Sequence, residues 1–230
     1  MAIKVVSFDA ADTLFRVRGS VGEVYARTAA RHGVVVEAAS IEARFRAAFR
    51  AMPPLAFPGV AAADLARCEY DWWRTLVAEV FSDRRFVDFA AFFEDLFRCF
   101  ARPDSWELFP DTQPCLEELR ACGLRLGIVS NFDARLFALC DGLGIGAAFD
   151  AIVISARAGY AKPDPRIFAA ALAALRVAAA EALHVGDSVR DDVAGARAAG
   201  LRAVLLRRAG RHGAAPEEIA GLREVLPLLA

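Results

Sequence analysis

The chain has 230 residues, the size of one large domain or of one domain carrying a sizeable insertion. Its 28 basic and 29 acidic residues leave a formal net charge of -1, so no global field draws in nucleic acid or an anionic membrane. With 57% hydrophobic and 25% charged residues it can bury a core, which excludes wholesale disorder.

The first apolar run, residues 3–8, is cut by Asp9 and Asp12 before it reaches the length a signal peptide needs, and reads as a buried strand. From about residue 16 to 107 no comparable strand run appears. Helical patterns predict helices at 21–32, 40–51, 62–81 and 85–100. Phenylalanine gathers there (Phe45, Phe49, Phe81, Phe86, Phe89, Phe92, Phe93, Phe97, Phe100) at spacings that suit packed helix faces, and Trp72 and Trp73 read as packing among them. The loop 52–59, with three prolines, joins two of these helices, and its Leu55 and Phe57 read as exposed.

Beyond residue 108 strands and helices alternate. Strands are expected at 124–129, 182–185 and 203–206, with a weaker one at 151–154, and helices at 113–121, 134–143, 165–175 and 189–199. Gly123, Gly144 and Gly200 stop three of the helices. This alternation means an α/β fold, a doubly wound parallel sheet formed by residues 1–15 and 108–230, with an all-helical insertion at 16–107. The apolar segment 167–177 is too short to cross a bilayer, which takes about 20 helical residues. Five cysteines without a C-x-x-C pair read as free thiols of a cytoplasmic protein.

In an open parallel sheet, ligands sit at the carboxyl ends of the strands. Asp9 follows the first strand, Ser130 and Asn131 a second, and Gly186-Asp187-Ser188 a third. Lys162, one of only two lysines, lies on a loop held extended by Pro163 and Pro165. Together these suit phosphoryl transfer. A carboxylate, Asp9, can attack phosphorus and split one hard displacement into two easier ones. Magnesium would neutralise Asp9 and Asp187, with Asp191 or Asp192 completing its shell, while the Ser130 hydroxyl and the Lys162 charge hold phosphate oxygens.

The segments Phe8-Asp9-Ala10-Ala11-Asp12-Thr13-Leu14, Val129-Ser130-Asn131, Lys162-Pro163-Asp164 and Val185-Gly186-Asp187-Ser188 through Asp191-Asp192 resemble the four ordered motifs of the haloacid dehalogenase superfamily. The resemblance implies a Rossmann-like core with a helical cap inserted after the first strand. It implies a Mg2+-dependent hydrolase with Asp9 as nucleophile, Asp9, Asp187, Asp192 and the Ala11 carbonyl around the metal, and Ser130, Asn131 and Lys162 at the phosphate. The wording of residues 21–25 and 106–110 is also similar to the branch named for the rhythmically expressed gene 2 product.

One departure bears on chemistry. The family's phosphatases carry a second aspartate where this chain has Ala11, so the usual general acid and base is missing; Asp12 stands in place of a usual glycine and reads as a turn residue. Three alternatives follow, two of them from relatives that share this lack. A dehalogenase would lack Asp187, a phosphonoacetaldehyde hydrolase would need a cap lysine that residues 16–107 do not contain, and a non-catalytic protein would bind phosphate or a metabolite without cleaving it. His184 reads as a buried, hydrogen-bonded side chain, and His32 and His212 as turn residues. Arg207, Arg208 and Arg211 read as solvated. The expected partner is a small phosphorylated metabolite, with no nucleic acid and no membrane; its identity and the oligomeric state are not legible.

Overall fold

The computed structural model describes residues 2–208 and 217–229. Its first strand, β1 (Val5–Phe8), is buried throughout and lies at the centre of a parallel sheet. Among the described residues the sheet runs in the order β5-β4-β1-β6-β7-β8, where β4 is Arg125–Ser130, β5 Ala151–Ile154, β6 Ala182–Gly186, β7 Arg202–Leu206 and β8 Glu218–Ile219. Successive side chains point to opposite faces. Val6, Phe8, Leu126, Ile128 and Val185 therefore pack on one face against α5 (Thr112–Ala121) and α6 (Arg135–Gly142). Val5, Val129, Ala203 and Leu205 pack on the other against α8 (Pro165–Leu175).

The helical cap enters between β1 and β4. It comprises α1 (Val21–Arg31), α2 (Ala38–Ala51), α3 (Leu65–Val80) and α4 (Phe89–Ala101), with a core of its own around Tyr25, Leu76, Phe92 and Leu96. Ser20 and Glu23 form a reciprocal capping box at the start of α1, each accepting the other's backbone N–H at 3.1 Å. At Gly22 an added Cβ would stand 2.2 Å from the Ala38 carbonyl, so only glycine lets α1 and α2 approach this closely.

A short antiparallel ribbon of β2 (Phe15–Val17) and β3 (Trp106–Leu108) forms where the chain leaves and re-enters the core. Its strands have three residues each, too short for a periodic signal, and the expected divisions at 15/16 and 107/108 fall inside them. Phe15 and Trp106 meet edge to face at 5.4 Å, which fastens the ribbon.

Two expectations in the cap are corrected. Leu55 is buried, not exposed, and its carbonyl accepts a hydrogen bond of 2.6 Å from Ser155 Oγ at the start of the short helix α7 (Ser155–Ala158). Trp72 and Trp73 pack within the cap as expected, and the Trp73 Nε1 also reaches out to donate to the fully buried Asp133. Asp133 also accepts from Arg135, whose guanidinium lies 4.9 Å from the Trp73 ring and 4.3 Å from that of Phe97. Phe49, grouped with the buried aromatics, is 40% exposed.

Candidate active site

The carboxyl ends of β1, β4 and β6, the three central strands, put the chemistry in one place. Asp9 continues from β1, Ser130 is the last residue of β4, and Asp187 follows Gly186 at the end of β6. Lys162 comes in on the loop before α8 and is almost wholly buried, with its Nζ donating to Asp9 Oδ1 at 2.7 Å and to Asp192 Oδ1 at 2.6 Å. Burial alone would lower the Lys162 pKa, but the negative charges of Asp9 and Asp192 outweigh it and hold the amine protonated.

Asn131 fixes that lysine. Its Oδ1 accepts the Lys162 backbone N–H at 2.7 Å and its Nδ2 donates to the Lys162 carbonyl at 3.0 Å, so the amide positions Lys162 with one of its two N–H groups. The Ser130 hydroxyl, by contrast, makes no hydrogen bond to a described residue, and its oxygen stays accessible although the residue as a whole is buried. A hydroxyl left open at a strand end is free to donate to a ligand.

The segment after β6 does not continue as the expected regular helix. Val189–Ala194 is a π-helical turn, followed by α9 (Gly195–Ala198), and such turns recur at functional sites. Here the turn directs Asp192 inward and leaves Asp191 outside the cluster, with its backbone N–H on Ser188 Oγ. Asp192 Oδ1 accepts from Lys162 and from His184 Nε2 (3.1 Å), and Oδ2 accepts from the Ser188 backbone N–H (2.9 Å). Burial would raise its pKa, yet Lys162 and His184 bring it well below the usual carboxylate range. At Gly186 a Cβ would lie 2.2 Å from Asp192 Cγ, so this glycine makes room for the inward carboxylate.

His184 is fully buried, and burial lowers its pKa. Because Asp192 can only accept, the His184 proton sits on Nε2, and Nδ1 accepts from the Ser7 hydroxyl at 2.9 Å. The Ser7–His184–Asp192 chain was not legible beforehand, beyond the reading of His184 as buried and hydrogen-bonded. His32 pairs with Asp95 in the cap at 2.9 Å, and His212 and Arg211 lie outside the described residues.

Oxygens of Asp9, Asp187 and Asp192 lie within 4.8 Å of one another. Three carboxylates against one ammonium leave two negative charges, which one divalent cation would balance, and an all-oxygen donor set suits a hard ion such as magnesium. Crowding by the surrounding protein, then the charges of Asp9, Asp192 and Asp12, push the Asp187 carboxyl up to about 7 even though the residue opens onto solvent. Burial likewise raises Asp9, with Asp192 adding to it and Lys162 opposing.

Ala11 is partly buried and pairs with Phe15 in a single bridge. Asp12 has φ +61°, the left-handed region that glycine occupies most easily and aspartate tolerates, and its N–H donates to the Phe15 carbonyl at 2.7 Å. Burial and the charge of Asp9 raise its pKa while Arg46 lowers it, so α2 of the cap overlooks the nucleophile loop. Arg208 is not solvated as expected: it donates to Asp111 at 2.8 Å and to the Thr13 carbonyl at 2.6 Å, tying the end of β7 to that loop.

Lys162→Met should cost ~3–5 kcal/mol in a denaturant titration of the metal-free protein, since it strands two largely buried carboxylates. A loss below ~1 kcal/mol would mean that the triad does not hold the site together.

A family model of haloacid dehalogenase-like hydrolases matches residues 3–200. Human haloacid dehalogenase-like hydrolase domain-containing protein 3 is 36% identical over 211 residues, covering 90% of this chain and 82% of its own. Among solved structures, a HAD phosphatase from Thermococcus onnurineus is 27% identical with a TM-score of 0.71, covering 99% of this chain and 98% of that one. L-2-haloacid dehalogenase from Xanthobacter autotrophicus, 22% identical with a TM-score of 0.73 over 99% of this chain and 98% of its own, shares the fold. Among the described residues, no helix is long and apolar enough to cross a membrane.

Proposed function

This chain belongs to the haloacid dehalogenase-like hydrolases, and from that premise we propose that it is a magnesium-dependent phosphatase of a small phosphorylated metabolite. The observation that carries the reading is Asp187, an acid standing with Asp9 and Asp192 in one cluster of oxygens. Carbon–halogen cleavage gives such a cluster no task, whereas phosphoryl transfer needs its charge offset by a cation.

Asp9, Asp187 and Asp192, with the Ala11 carbonyl, would hold Mg2+. Bound there, the ion supplies charge neutralisation among the carboxylates and at the phosphoryl oxygens. Asp192 serves with the one lone-pair position, of about four, that its three donors leave free. Asp9 accepts from Lys162 on Oδ1 and from the Ala10 backbone, and its carboxylate is the nucleophile. As a carboxylate oxygen of Asp9 bonds to phosphorus, the ester P–O bond breaks and the alkoxide leaves; water then cleaves the aspartyl-phosphate, releasing phosphate and returning the carboxylate. Ser130 Oγ and Lys162 Nζ hold the oxygens of the transferring group. Ala11 offers no proton to the leaving alkoxide, so solvent or the substrate must supply it, and poor leaving groups turn over slowly.

Ala11 also favours a second reading, in which the site binds a phosphate compound and cap movement is the output. Hydrolysis of an activated aryl phosphate separates the two. Turnover should require magnesium and vanish with chelator; equal turnover in chelator would remove the metal-assisted mechanism, and absence of single-turnover product despite phosphate-analogue binding would establish the second reading.

A further inference from the structure

A cleft of about 350 Å³ opens beside the cluster. Asp12 and Asp187 line it together with Arg16 of the ribbon, Phe109, and Arg207 and Arg208 at the end of β7. Its cations are held in place. The Phe109 ring carries the Arg208 guanidinium at 3.7 Å and that of Arg16 at 5.4 Å. Arg208 is further fixed by Asp111 and the Thr13 carbonyl, and Arg207 by Glu218 at 2.9 Å.

Arg16 has donors to spare. Its Nε donates to Glu107 at 2.7 Å, and its two Nη groups make no hydrogen bond to a described residue. That open edge is a planar pair of donors, the pattern that matches the two oxygens of a carboxylate. A neutral polyol would leave the edge to water and gain little from three guanidinium groups.

We propose that this cleft is a subsite for a second anionic group, and that the substrate is a phosphorylated carboxylic acid whose phosphoryl end lies at Asp9 and whose carboxylate lies at Arg16 and Arg207. The inference rests on the phosphatase reading for the placement of the phosphoryl end. Asp187, where a cation would sit, and Asp12 are on the cleft wall, so a short organic arm joins the two ends.

Calorimetric titration in magnesium tests this without turnover. The ligands are ω-carboxyalkylphosphonates with one to four methylenes, each beside the alkylphosphonate of equal length. The best carboxylated ligand should bind roughly tenfold more tightly than its match. Arg16→Gln should remove most of that ratio and Arg207→Gln should reduce it, with Arg223→Gln, on an exposed side chain paired to Glu118, as the neutral control. A ratio near one at every length, or a ratio unaltered in both folded variants, overturns the subsite and leaves the phosphatase reading standing. If neither ligand series binds, the phosphate site itself falls, and the subsite with it.

Discussion

Asp9→Asn should abolish turnover of an activated aryl phosphate, by roughly 10⁴-fold or more, the scale on which loss of a covalent nucleophile is felt in other hydrolases. Asparagine keeps the volume and an oxygen to accept from Lys162, and Lys162 keeps its contact with Asp192, so the fold should survive with little change in Tm. What disappears is the charged oxygen that forms the bond to phosphorus. Intact-mass analysis after acid quench should find the phosphoryl adduct on the natural protein and none on the variant. Retained activity in a folded Asp9→Asn protein would end the covalent mechanism and move the chemistry to a metal-activated water.

Ala11→Asp should raise the rate on alkyl phosphates by about 10²- to 10⁴-fold, the ordinary worth of general acid–base catalysis, and change the rate on a nitrophenyl phosphate far less. Position 11 lies two residues beyond the nucleophile on a loop pinned by its bridge to Phe15 and by the Asp12 N–H on the Phe15 carbonyl. By the family resemblance, a carboxyl placed there is expected to protonate the leaving oxygen rather than touch phosphorus. The diagnostic is the dependence of log rate on leaving-group pKa, which should flatten in the variant. An unchanged slope would show that another group already donates the proton, or that the natural substrate brings its own.

The gain also separates the two functional readings. A site lacking only its acid recovers when the acid is supplied, because Asp9, Lys162 and Asp187 stay where they are. A binding protein whose cap holds substrate away from Asp9 would not recover.

Much of the architecture was legible because its signals are local. Alternation of apolar runs with helical patterns depends on neighbours within about ten residues, and so does the polar residue that ends each buried run. Those rules put Asp9, Ser130 and Asp187 at one edge of a parallel sheet, while Lys162 read only as a cation on a loop held extended by prolines. The ribbon β2–β3 escaped, since three-residue strands carry no period and pair across the whole cap.

Pairings between distant segments were decided by packing alone. Nothing local says that the Nε1 of Trp73 reaches from the cap to Asp133, 60 residues away, or that Ser7 orients His184 from 177 residues away. The choice between Asp191 and Asp192 likewise waited on the π-helical turn, which rotates one inward over Gly186, where no Cβ blocks it. Residue types and their order thus determined the chemistry available to this chain, and the three-dimensional packing determined which groups share charge, which are already spent on hydrogen bonds, and which, such as the Ser130 hydroxyl and the Arg16 edge, are left open. The reason is physical: a side chain's reach is a few ångströms, and only the folded chain decides what lies within it.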